Sequence, residues 1–256
     1  MIIASSILVV MQQRKTGEFK EVEKFITIDG EQIDTTLLTP EGEPKGKILF
    51  LHGAGESTKE RLLPLAREMA RLAWSCLTFS LPGHGNSSGN LLGSTLVGRK
   101  QMTHKIAEHF DFWPADIVLG ISMGAHTAIS LLGDEPEAFK KLVLLVPAAY
   151  AREAEEVPFG PEFSEILRKP KSYHSARNWD ILQKYHGQIA AVQAGEDQVI
   201  PVDVYDLIKQ SSKNAEYQPV LVENSTHQIS VWMNQDPARV SMFANAIDSF
   251  DFSGCR

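Results

Sequence analysis

Short apolar runs alternate with longer amphipathic stretches along most of the chain, a rhythm that predicts strand–helix–strand units around a mostly parallel sheet. Residues 25–28 and 33–38 flank Asp29-Gly30, a two-residue hairpin signal, so the sheet is expected to begin antiparallel. Residues 48–51 form an unbroken apolar run, as a strand covered on both faces requires. Leu62, Leu65, Met69 and Leu72 then recur at helical spacing behind a capping Ser57 or Thr58. A strand at 75–81 ends at Pro82-Gly83-His84-Gly85. A helix at 96–110, a strand at 116–120, a helix at 123–132 and a strand at 142–146 follow. The alternation resumes at 189–194, with a helix near 204–209, a strand at 216–222 and a last helix near 237–250.

Between 148 and 185 the regularity lapses, and Pro158, Pro161 and Pro170 interrupt mixed charge. This predicts a small cap laid over the sheet, with no linker dividing the chain. The expected organisation is an extension or extra strand at 1–24, one domain at 25–250 and a tail at 251–256. A length of 256 residues fits one domain of this class, and 43% hydrophobic content supports an ordinary core.

Composition narrows the range of partners. A net charge of -7 offers no general attraction to nucleic acid or to an anionic membrane surface. Cys76 lies in an apolar run and Cys255 in the expected tail, which argues against a disulfide framework and for a reducing, cytoplasmic setting. Residues 2–11 are apolar, but positive charge follows them at Arg14 and Lys15, whereas a secretory leader carries it in front. The run is also too short to span a bilayer. It reads as an added strand or a loosely ordered N-terminus, with a degenerate export signal or surface anchor as the alternative.

The chemistry centres on Gly120-Ile121-Ser122-Met123-Gly124, flanked by an expected strand and an expected helix. A tight strand-to-helix turn exposes a serine oxygen, and small residues two before and two after it relieve the crowding. His52-Gly53-Ala54-Gly55 follows an earlier strand, and such a glycine-rich turn leaves backbone amides free to face a developing oxyanion. The expected donors are the amides of Ala54 and Met123. His227, just beyond the 216–222 strand, is the expected base, since sites of α/β sheets collect at carboxyl strand ends. Asp197 is the favoured acid to orient it, with Glu196 and Asp203 as alternatives. His52, Gly53, Gly55, His84 and Trp179 are expected to border the substrate pocket. Aromatic residues of the cap, Tyr150, Phe159, Phe163, Tyr173 and Trp179, either wall that pocket or anchor the cap.

Taken together these residues resemble the α/β-hydrolase superfamily over about residues 25–250. The resemblance rests on the order Ser122, Asp197, His227, on the His52-Gly53-Ala54-Gly55 turn, on Leu81-Pro82-Gly83-His84-Gly85-Asn86-Ser87, and on Gly195, Asp197 and Pro201. It implies a serine hydrolase of the compact esterase, lipase-like or small-peptidase branch, using an acyl-enzyme and no cofactor or metal. Acyl transfer, thioester or peptide cleavage, and ligand binding without turnover remain open as alternatives. The implied partner is a small acyl substrate.

Overall fold

The computed structural model describes residues 17–255; the apolar run at 2–11 lies outside them. An eight-stranded sheet runs in the order β1-β2-β4-β3-β5-β6-β7-β8. β1 (Phe19–Ile28) and β2 (Glu31–Pro40) are antiparallel, joined through Asp29 and Gly30 at φ 51° and 84°, as a tight primed turn demands. β1 therefore begins six residues ahead of the expected start at 25. β2 also runs antiparallel to β4 (Ser75–Phe79). β3 (Lys47–Leu51), β4, β5 (Ile117–Ile121), β6 (Lys141–Leu145), β7 (Gln188–Ala194) and β8 (Glu216–Val222) are mutually parallel. The central strands are buried on both faces, which explains their unbroken apolar runs.

Each face is covered by its own helices. On one side α1 (Leu63–Arg71), α7 (Ile229–Asn234) and α8 (Pro237–Ser249) pack Leu65, Met69, Met233 and Phe243 against Ile48, Phe50 and Val143. On the other, α2 (Leu96–His109), α3 (Met123–Leu131), α5 (Asn178–Leu182) and α6 (Val202–Ser211) cover Leu49, Leu77, Val118 and Leu144. Burying one large aliphatic or aromatic side chain in such a layer contributes about 1.5–3 kcal/mol.

Two expectations about ends are corrected. Residues 59–61 form a short 3-10 turn and α1 starts only at Leu63, so neither Ser57 nor Thr58 caps it. The helix starts instead with a proline in its first turn, where a missing N–H costs nothing. The segment expected as a tail is anchored in the core: Phe252 and Cys255 are each 1% exposed and pack with α8, while Asp251, Ser253 and Gly254 face solvent. Cys76 is buried as expected. Among the described residues no helix is long and apolar enough to cross a membrane.

The cap region is helical. α4 (Pro161–Arg168), α5 and short 3-10 turns at 152–154 and 172–175 bridge the carboxyl ends of the strands. Phe159 and Phe163 pack with Leu96 and Met123, which seats the cap on the first turns of α2 and α3.

Candidate active site

Parallel strands put their carboxyl ends on one rim, and Ser122, Asp197, His227 and the turn at 52–55 follow strands that end there. Leu51 pairs with Gly120, so the turn after β3 lies beside the turn after β5. Ser122, between β5 and α3, has φ 52° and ψ -114°, a conformation that costs a non-glycine residue about 1–3 kcal/mol. Its neighbours hold it there: its N–H donates to Leu145 O at 2.9 Å and its carbonyl accepts from Ala148 N at 3.2 Å.

The flanking glycines serve a different purpose from the strained serine. A Cβ on Gly120 would lie 2.4 Å from the Gly124 carbonyl oxygen, and one on Gly124 would lie 2.3 Å from that of Leu51. Both contacts are to backbone, which cannot swing aside. Gly124→Ala is therefore expected to lower stability by about 3 kcal/mol or to prevent folding, because α3 and β3 must part. An unchanged urea midpoint in that variant would contradict this reading.

Three side chains meet at the rim. His227 Nε2 lies 3.1 Å from Ser122 Oγ, and Nδ1 lies 3.0 Å from Asp197 Oδ2. The Asp197 side chain is 3% exposed, and its other oxygen accepts from the N–H groups of Val199 and Ile200 at 2.8 and 3.0 Å. The carboxylate is thus fixed before it meets the imidazole. The loops carrying the two residues are tied together, with Gly195 N donating to Val222 O and Glu196 N to Ser225 O. Of the three acids considered from sequence, Asp197 alone bonds to His227. Glu196 is exposed, and Asp203 instead accepts from Tyr173 Oη at 2.6 Å and lies 3.1 Å from His174 Nε2, fastening the cap to the start of α6.

The glycine-rich turn abuts the serine: a Cβ on Gly53 would lie 3.4 Å from Ser122 Cβ. Gly55 has φ 63°, which favours glycine there. Among the described residues nothing accepts the amide hydrogen of Ala54 or of Met123. Met123 opens α3, where unpaired N–H groups and the helix dipole favour negative charge.

His52 and His84, expected along the pocket, are buried behind the turn, with ring centroids 4.6 Å apart. His52 Nδ1 donates to Gly53 O at 2.7 Å and Nε2 accepts from Leu81 N at 3.0 Å, which fixes a neutral tautomer. Burial, with Arg99 beside it, holds His52 well below the usual imidazole range and brings His84 to about 4. Burial and Arg99 likewise pull His126 to about 3. Trp179, the other pocket candidate, is buried and donates its indole N–H to Tyr173 O, so it anchors the cap.

Arg99 escaped sequence reasoning. It sits in α2 at 3% exposure, and nothing in a polar helix face marks one arginine as buried. A cavity of about 400 Å³ opens one helical turn beyond Ser122, between α2, α3 and the cap. Its walls include Leu96, His126, Ser130 and Ile181, and the ion pairs Lys100–Asp134 and Arg177–Glu155 lie at its rim. Neither Ser122, Asp197 nor His227 lines it. Among the described residues no cluster of His, Cys, Asp and Glu has metal-binding geometry.

The family described as serine aminopeptidase, S33 matches residues 42–196. Human monoglyceride lipase is 26% identical over 155 residues, 58% of this chain and 50% of the lipase. The chain spans half or less of the length of the curated relatives it matches. Two solved structures share the fold. A predicted CIB-like hydrolase from Thermoplasma acidophilum has a TM-score of 0.67 at 13% identity, covering 91% of this chain and 100% of that one. Est1E from Butyrivibrio proteoclasticus, solved with ferulic acid, has a TM-score of 0.66 at 20% identity, covering 86% and 97%.

Proposed function

Because the chain belongs to the serine aminopeptidase, S33 family of α/β-hydrolases, we propose that it cleaves carboxylic esters or related acyl bonds with Ser122 as nucleophile. The observation that carries this reading is the continuous chain of hydrogen bonds from Ser122 through His227 to Asp197. Ser122 Oγ attacks the substrate carbonyl carbon while His227 Nε2 takes its proton. Asp197 keeps the imidazole in the tautomer that accepts at Nε2 and stabilises the imidazolium that forms. The carbonyl oxygen, now negative, receives the amides of Ala54 and Met123, each contributing about 3–4 kcal/mol in such a role. The same proton then passes to the departing alcohol, and water enters through His227 to release the acid. No step calls for a cofactor.

The partner in this reading is a small or medium acyl compound, with no role for nucleic acid, and the two cysteines fit a cytoplasmic setting. The aminopeptidase description of the family and the similarity to a lipase point to different leaving groups, so aminoacyl amides, thioesters and esters belong in one panel. The direct test is covalent. A fluorophosphonate should label the wild-type chain on the tryptic peptide containing Ser122, and Ser122→Ala should take up none. Labelling elsewhere, or equal labelling of the variant, would falsify the nucleophile assignment. Labelling without turnover of any ester, thioester or aminoacyl amide would favour a binding protein that keeps the fold.

A further inference from the structure

Resting on that reading, we infer that Arg99 is the positioning residue of the oxyanion turn, clamping the Gly53–Ala54 peptide from behind so that the Ala54 N–H faces the reacting carbonyl. Arg99 is 3% exposed, and among the described residues no carboxylate pairs with it. A buried cation without a counter-charge carries a desolvation cost of several kcal/mol, so its remaining contacts indicate what it is for. Nη2 donates to the carbonyls of His52 and Gly53, both at 3.3 Å, and Nη1 donates to His84 Nε2 at 3.0 Å. Gly53 O also accepts from His52 Nδ1. Two donors thus hold one carbonyl, on the side of the turn away from solvent.

Peptide geometry sets the direction of the Ala54 N–H. The Gly53–Ala54 bond is trans, and a trans peptide points its C=O and N–H in opposite directions. With the carbonyl turned inward onto Arg99, the Ala54 N–H must point outward, and no described residue accepts it. The cation also sits at the negative end of that peptide dipole. It draws charge toward the carbonyl oxygen and strengthens the N–H as a donor, as linked hydrogen bonds do at low dielectric. His84 presents its Nε2 lone pair to Arg99 because its ring is neutral, whereas His52 spends its lone pair on Leu81 N; His126 and Tyr150 are the other titratable groups that Arg99 acts on.

The test uses the full chain, with p-nitrophenyl acetate as substrate and an aryl trifluoromethyl ketone as a mimic of the tetrahedral adduct. Arg99→Met should lower kcat by about 100-fold, the loss typical of one oxyanion donor, with KM within about threefold. Ketone affinity should fall in proportion to kcat/KM, whereas an inert ester analogue should bind as before. Arg99→Lys, which keeps the charge without the fork, should fall between the two. A folded Arg99→Met with wild-type kcat overturns the inference, as does equal weakening of ketone and inert analogue. If Arg99→Met does not fold, Arg99→Lys decides: wild-type kcat in that variant overturns the inference, and a loss of fivefold or more at constant KM supports it. Fluorophosphonate separates the two levels, since an unlabelled wild type sinks the nucleophile itself, while a labelled wild type leaves Arg99 to be judged alone.

Discussion

Ser122→Ala should hydrolyse its best ester roughly 10,000-fold more slowly than the wild type, or worse, while still melting cooperatively. The size follows from how the site is built. His227 is within hydrogen-bond distance of one nucleophile, at 3.1 Å, and without it the imidazole has only water to activate. Adding His227→Ala to Ser122→Ala should cost little more, because groups that act as a unit do not lose activity additively. Stability should move in the other direction. Ser122 holds a backbone angle of φ 52°. Ser122→Gly should therefore be as inactive as the alanine variant yet more stable than wild type by about 1 kcal/mol. Steady-state rates and urea midpoints on the three proteins check both halves. Residual turnover within tenfold of wild type would end the proposal.

The second large effect is acid sensitivity. His52, His84 and His126 are buried as neutral rings, held at well below the usual range, about 4 and about 3 respectively, by burial first and Arg99 next. In the unfolded chain each returns to about 6.5. As pH falls below that value, the unfolded chain takes up protons that the folded one refuses, and the balance tilts toward unfolding. Each histidine contributes at most about 1.4 kcal/mol per pH unit, so the three together approach about 4 kcal/mol per unit between pH 6 and pH 5. The loss continues until pH reaches each ring's folded value. Glu155, whose carboxyl is raised by burial, acts in the opposite direction. Urea midpoints at pH 7.5, 6 and 5 should fall steeply, and His126→Phe should flatten the slope by about a third. Equal midpoints at pH 7.5 and 5 would mean that these rings titrate freely.

What the sequence made legible was local. The elbow could be read because strand, glycine, serine, glycine and helix all fall within about fifteen residues, each with its own steric reason. The sheet could be read because central strands need unbroken apolar runs. The acid was harder: Glu196, Asp197 and Asp203 are equivalent until the chain leaving β7 turns, and two backbone N–H groups then lock Asp197. Trp179 pointed to the pocket by residue type alone, and its indole went instead to Tyr173 O. The burial of Phe252 and Cys255 depends on where α8 ends: Phe250 at φ 51° folds the chain back onto the core. Arg99 was hidden for a related reason. Its partners are backbone carbonyls and a ring nitrogen from distant turns, and such partners leave no charge pattern to find.

The fastening of the cap has a mechanical side. Asp197 and Asp203 sit at opposite ends of one short stretch interrupted by Pro201; the first grips the imidazole and the second grips Tyr173 in the roof. On the proposed mechanism, a load on the roof would reach, along this stretch, the carboxylate that steadies the base. Admission of a guest and alignment of the base would then form one coupled coordinate, and acyl groups that force the roof apart should turn over more slowly than ones that fit beneath it.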